Sequence, residues 1–218
     1  MLVLGKYGPG ASHGPLVWVV TFKLWYCGCV GGTNGVGILV DRDLPELVVG
    51  GFTQNVLSVH APRVGLDEEV KRHFWEDFDE VVRGIPHTEK LFIGRNFNGH
   101  IGAMSRGYDD LHGDFGFRVR NEGGTSLLDV SKDFNLVIAN SSFPKNKEHR
   151  VTFQSSVART KIDYLLLRKP NKGLCMNCKV IPSENFTTRH RLLVMDLEIM
   201  RKRRKRGCLV YLGSSEEL

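Results

Sequence analysis

Three groups of residues in this chain are placed where they could do chemistry. Asn96, Asn98 and His100 follow a short apolar stretch, in the run Arg95-Asn96-Phe97-Asn98-Gly99-His100. Asp163 lies inside an apolar one, Lys161-Ile162-Asp163-Tyr164-Leu165-Leu166, and His190 stands just ahead of another, Leu192-Leu193-Val194. A carboxylate within an apolar strand needs a partner, because burying an unpaired charge is costly. His190 is one candidate: an Asp–His pair orients the imidazole and stabilises its charged form, which suits general acid–base work. A structural salt bridge from Arg159 or Lys161 is the other, and pattern alone leaves the two equal. Loops at strand ends on a rigid sheet are the usual seat of such groups.

The cysteines offer less. Cys27, Cys29, Cys175, Cys178 and Cys208 are an odd, sparse set, which argues against a disulfide scaffold. Cys27-x-Cys29 and Cys175-x-x-Cys178 could supply four thiolates to zinc, but no histidine supports them, and buried or loop thiols are the commoner use. No small-molecule cofactor is expected.

The elements that must position these residues are legible in part. Residues 35–40, 52–59, 90–94, 136–140, 151–154, 162–167 and 192–199 read as strands. Residues 66–82 read as a helix: Val70, Phe74, Phe78, Val81 and Val82 recur at helical spacing behind Asp67, Glu68 and Glu69, which suit the N-terminal end of the helix dipole. Its acidic residues read as a solvated outer face. Residues 125–134 read as a second helix, after a Gly-rich stretch from 102 to 124. Residues 1–22 read as irregular, with Gly8, Pro9, Gly10, Gly14 and Pro15 close together. Strands with interspersed helices predict a layered α/β domain.

Length and composition fit one globular domain of 218 residues, 41% hydrophobic and 25% charged. The net charge of +6 has one source, the hexapeptide Arg201-Lys202-Arg203-Arg204-Lys205-Arg206; without it, 24 basic residues face 24 acidic ones. Binding of a polyanion by bulk charge is therefore expected at this run, which also suits nuclear import. No apolar run approaches the ~18 residues that span a bilayer, so no membrane association is expected, and a nuclear or cytoplasmic location is.

The segments Ile93-Gly94-Arg95-Asn96-Phe97-Asn98-Gly99-His100, Asn140-Ser141-Ser142-Phe143-Pro144, Val151-Thr152-Phe153, Ile162-Asp163-Tyr164-Leu165-Leu166 and His190-Arg191-Leu192-Leu193-Val194-Met195-Asp196 resemble, in order, the endonuclease/exonuclease/phosphatase superfamily. Within it they are similar to the endonuclease domains of LINE-type retrotransposons and to their host-genome relatives, the craniofacial development protein 2-like proteins. The resemblance implies a four-layer α/β sandwich of two facing mixed β-sheets with outer helices, here N-terminally truncated. It places the domain at residues 23–200, between an irregular segment 1–22 and a basic tail 201–218. It also implies Mg²⁺-dependent cleavage of a DNA phosphodiester by an activated water, with DNA as the partner. Asn98 then matches the Asn that contacts the phosphate, Asp163 the Asp that supports the terminal His, and His190 that His.

Other positions depart from the pattern. Asn96 stands where the motif has a metal-site Asp, Arg189 where the superfamily has an Asp before the His, and His60 where it has a Tyr. The N-terminal strand pair that carries the metal-binding Glu is not recognisable; residues 1–22 hold no acid, and the stretch near 44–47 looks shortened. Mg²⁺ is a hard cation held by carboxylate oxygens. An amide at Asn96 lacks the charge, and a guanidinium at Arg189 repels the metal while suiting a phosphate. Metal-dependent cleavage is accordingly expected to be weak or absent. The alternative is a non-catalytic nucleic-acid-binding or interaction protein using the basic run. A phosphoesterase acting on a small phosphate or lipid is disfavoured by the retrotransposon likeness.

Overall fold

The structure, a computed structural model, describes residues 2–7, 22–27, 38–40, 54–63, 65–182, 189–200 and 205–212, with side chains described for 55–63, 65–94, 96–182 and 189–197. It is a mixed α/β fold. One five-stranded sheet runs in the order β10 (Cys175–Ile181), β11 (Leu192–Met200), β12 (Lys205–Leu212), β1 (Leu2–Tyr7) and β3 (Ile38–Val40). The other runs β2 (Phe22–Cys27), β4 (Gln54–His60), β5 (Lys90–Asn96), β9 (Asp163–Arg168) and β6 (Leu136–Ile138). A small hairpin pairs β7 (Phe153–Gln154) with β8 (Arg159–Thr160).

The alternation of side chains along the second sheet builds two cores, as period-two strands require. Leu57, Leu91, Ile93, Tyr164 and Leu166 face one way, against helices α1 (Glu68–Arg83) and α2 (Glu122–Asp133). Val56, Phe92, Leu165 and Leu167 face the other, against Cys178, Val180, Leu193 and Met195 of the first sheet. Two helices thus cover one face of the second sheet and the first sheet covers its other face. Helix α1 begins at Asp67, whose carboxylate accepts from Glu69 N at 2.8 Å, and buries Phe74, Phe78 and Val82. Its acids lie outward as expected, paired with Lys71, Arg72 and Arg83.

Register brings the chemistry-bearing positions together. β4 and β5 are parallel with His60 opposite Asn96, and β5 and β9 are antiparallel with Asn96 opposite Asp163. Asn96, Asp163 and the loops beyond them therefore share one end of the second sheet.

Several elements differ from the sequence reading. Leu2–Tyr7, within the stretch read as irregular, is β1, a strand between β12 and β3. Lys205–Leu212, within the stretch read as a basic tail, is β12, antiparallel to β11. Its apolar run Cys208-Leu209-Val210-Tyr211-Leu212 sits directly behind the cations that dominate the local composition. Residues 139–141 are a 3-10 turn rather than the end of a strand. Helix α2 starts three residues early, through Gly123 and Gly124, for a reason that lies in the site. Among the described residues no helix is long and apolar enough to cross a membrane.

Candidate active site

The loop after β5 is held from three sides. Asn96 is buried, and its Oδ1 accepts the Asn98 N–H at 2.8 Å. This folds Asn98 into a left-handed conformation, φ +50°, which Asn tolerates better than most residues. Asn98 Nδ2 in turn donates to the Ala61 carbonyl at 2.6 Å, while Ala61 N donates to the Asn96 carbonyl at 2.8 Å. Phe97 N donates to the Ile162 carbonyl at 2.9 Å, tying the same loop to the residue before Asp163.

The third side is the start of α2. Asn121 caps that helix by accepting from Gly124 N at 3.0 Å, and the same oxygen accepts from His100 N at 2.8 Å. The glycines are there because the backbones nearly touch: a Cβ on Gly124 would lie 1.8 Å from the His100 carbonyl oxygen, and one on Gly99 2.5 Å from the Gly123 carbonyl carbon. His100 Nε2 meets Thr160 Oγ1 at 2.6 Å, and burial together with the Arg118 charge holds this imidazole below its ordinary pKa. Removing the Asn121 side chain should therefore do more than uncap a helix. Asn121→Ala is expected to lower the unfolding free energy by about 2 kcal/mol in denaturant titration, the upper end for a lost N-cap, because two backbone donors lose their acceptor.

Asp163 is fixed just as closely. Its backbone N–H and that of Ile162 both donate to Thr152 Oγ1, at 3.1 and 3.0 Å. Its carbonyl accepts from Asn140 Nδ2 at 3.0 Å, and Asn140 Oδ1 accepts from Leu165 N at 3.2 Å. The side chain, almost buried, faces His190: Nδ1 lies 3.0 and 3.1 Å from the two carboxylate oxygens. His190 is itself docked as a strand residue on Phe153. Gln154 N donates to the Arg189 carbonyl at 2.8 Å, Arg191 N to the Thr152 carbonyl at 2.7 Å, and the Phe153 and His190 rings meet edge-on at 5.0 Å.

This resolves the two readings of Asp163. The His190 pair forms; Lys161 instead donates to the Phe115 and Asn140 carbonyls, and Arg159 is exposed on its hairpin. Nδ1 is the ring nitrogen directed at the carboxylate, the arrangement by which a carboxylate orients an imidazole. Asn98 bonds through its N–H to the side chain of Asn96, the register partner of Asp163, while its own side-chain amide goes to the Ala61 carbonyl and not to the pair. Of the residues that hold this arrangement, Thr152 and Asn140 are marked in the sequence only by lying within the segments that carry the resemblance, and Asn121 has no mark at all. Arg201, Lys202, Arg203 and Arg204 lie outside the described residues, and Lys205 and Arg206 open β12, where side chains are not described.

The set does not fit a Mg²⁺ ion, which wants several oxygen ligands with charged ones foremost. Asn96 offers a neutral amide oxygen already accepting the Asn98 N–H, and both Asp163 oxygens face the His190 ring. Among the described residues no three His, Cys, Asp or Glu side chains are grouped so as to hold a metal.

No family model matches the chain. It is 25% identical over 212 residues to Craniofacial development protein 2 of Tragulus javanicus, covering 88% of this chain and 37% of that protein. It is likewise 25% identical over 198 residues to Craniofacial development protein 2 of Bos taurus, covering 82% of this chain and 33% of that protein. The chain is thus similar over most of its length to Craniofacial development protein 2, and spans about a third of the length of these curated relatives.

Proposed function

We propose that the chain is a degenerate DNA endonuclease of retrotransposon origin, a four-layer sandwich of the endonuclease/exonuclease/phosphatase type. In it the acid–base half of the site persists and the metal-binding half does not. The observation that carries this is the Asp163–His190 pair at 3.0 Å, held at one sheet end beside the Asn96–Asn98 loop. Asp163 orients the imidazole, Nε2 serves a phosphate oxygen or a water, and Asn98 lies on the loop next to it. Without the acid at position 96 and with Arg189 ahead of His190, cleavage is weak or absent. Purified protein incubated with supercoiled plasmid and Mg²⁺ should leave it no more nicked than the EDTA control. Robust Mg²⁺-dependent nicking, abolished by His190→Ala, would show instead an intact enzyme.

The second reading, a non-catalytic nucleic-acid-binding protein of the nucleus or cytoplasm, draws on Arg189. That residue is exposed immediately before His190, where a guanidinium favours a phosphate over a cation. Under this reading DNA binding in EDTA persists in His190→Ala and weakens in Arg189→Ala. Equal binding by Arg189→Ala counts against it.

A further inference from the structure

Two buried bases lie beneath one loop, outside the catalytic pair. The segment 112–119 leaves Leu111, whose carbonyl accepts from Ile138 N at 2.7 Å, and returns at Arg120, whose Nε donates to the Ile101 carbonyl at 3.1 Å. Between these anchors it lies flat on its neighbours: a Cβ on Gly113 would come 2.6 Å from the Ser141 carbonyl oxygen, and one on Gly116 1.8 Å from that of Gly102. The Phe115 carbonyl accepts from Lys161 Nζ at 3.3 Å; the other partner of that nitrogen is the Asn140 carbonyl at 2.7 Å. Lys161 is 1% exposed and makes no ion pair with a described carboxylate. His112 is also 1% exposed, and neither of its ring nitrogens has a hydrogen-bond partner of normal geometry, the Gly113 backbone being the one group that favours its charged form through a bond.

Around His112 the cations disfavour protonation more than the acids assist it, whereas around Lys161 the Cys178 thiol assists more than Arg150 opposes, so burial alone is what disfavours its charge. His112 feels the charges of Lys161 and Arg120 and, in the opposite sense, those of Asp109 and Asp114; Lys161 feels Arg150 and the Cys178 thiol and has the Tyr164 ring at 5.9 Å. Burying a charge without an opposite partner is among the most expensive things a fold can do.

We propose that residues 112–119 form a proton-operated flap, closed over neutral His112 and Lys161 and opened when these bases take up protons. Opening frees Lys161, two residues ahead of Asp163, and moves Arg118, whose charge acts on His100. The inference rests on the loop alone and holds under either function proposed above. Burial lowers both bases, His112 below 6.5 and Lys161 from 10.5 to about 7. The closed state therefore binds fewer protons than the open one, between about 7 and 10.5 through Lys161 and just below 6.5 through His112. Closure is firmest at alkaline pH and is lost as pH falls.

Amide hydrogen exchange of the full-length chain at pH 6, 7, 8 and 9, corrected for intrinsic base catalysis, tests this. The opening equilibrium of amides 113–118 should rise about tenfold for each pH unit of acidification from 9 to 7, one proton being taken up, while the α1 amides stay constant. His112→Leu combined with Lys161→Met should flatten that dependence. Exchange at 113–118 that is independent of pH overturns the proposal, as does a pH dependence shared equally by α1. Should the double variant fail to fold, the wild-type His112 ring decides by proton NMR. Titration below 6.5 supports the flap, and titration at 6.5 with unchanged loop exchange overturns it.

Discussion

Asn96→Asp combined with Arg189→Asp is expected to yield a protein that nicks supercoiled plasmid in Mg²⁺ at least about a hundredfold faster than wild type, or about 2.7 kcal/mol in barrier. Both positions are held by main-chain bonds that the side chains do not make. The Asn96 carbonyl accepts from Ala61 N and the Arg189 carbonyl from Gln154 N, each at 2.8 Å. An aspartate at 96 can keep the acceptor role toward Asn98 N–H, now at 2.8 Å, and adds a second oxygen and a negative charge. That charge faces Asp163 across the β5–β9 register, so the double variant should be less stable than wild type in EDTA. Mg²⁺ should then raise its Tm, because a ligand bound only by the folded state stabilises it, and should leave the wild-type Tm where it is. The two readouts separate the possible outcomes. A variant stabilised by Mg²⁺ yet inert has regained a cation site on a scaffold that no longer places DNA. A variant neither stabilised nor active counts against the endonuclease reading itself.

The parts of this site that were legible in the sequence are those whose signal is local. Asp163 is visible because a carboxylate interrupts an apolar run, and α1 because Phe74, Phe78 and Val82 repeat at helical spacing behind an acidic first turn. What was hidden depends on neighbours far along the chain. Asn140 reads as the end of a strand, yet its amide clasps Asp163 and Leu165 from a 3-10 turn. Thr152 reads as one strand residue among several, yet its hydroxyl takes two N–H groups from the next segment. Gly123 and Gly124 read as loop, because glycine disfavours helix interiors. They are helical all the same, and at Gly124 the His100 backbone leaves no room for a Cβ. Strand β10 escaped for another reason: a register shift between Cys175 and Asn177 turns both Cys175 and Cys178 inward and erases the period-two pattern.

Phe78→Ala should produce the largest loss of stability among single core substitutions near the site. The ring is fully buried at the centre of an aromatic cluster. It lies 5.9 Å from Trp75 and 6.4 Å from each of Phe74, Phe97 and Phe134, with the Trp75, Phe97 and Phe134 contacts edge-on. It thereby joins α1 to the residue after α2 and to the loop between Asn96 and Asn98. Truncating a buried phenylalanine costs about 3–5 kcal/mol, part transfer and part cavity, against a total stability of about 5–15 kcal/mol for a typical domain. For a chain of this length the midpoint of thermal unfolding should fall by about 10 °C or more. Val157→Ser, at a side chain 92% exposed, should change it by no more than about 1–2 °C, the scale of an ordinary surface substitution. The cavity also has a direction. Phe97 loses the ring that supports it, and Phe97 is the residue between the Asn96 oxygen and the strained Asn98 that the oxygen holds. Amides 96–100 should therefore lose exchange protection before those of β11, whose inward side chains pack in the other core. Uniform loss across both sheets, or a fall in Tm below about 3 °C, would show that the aromatic cluster does not hold the site loop.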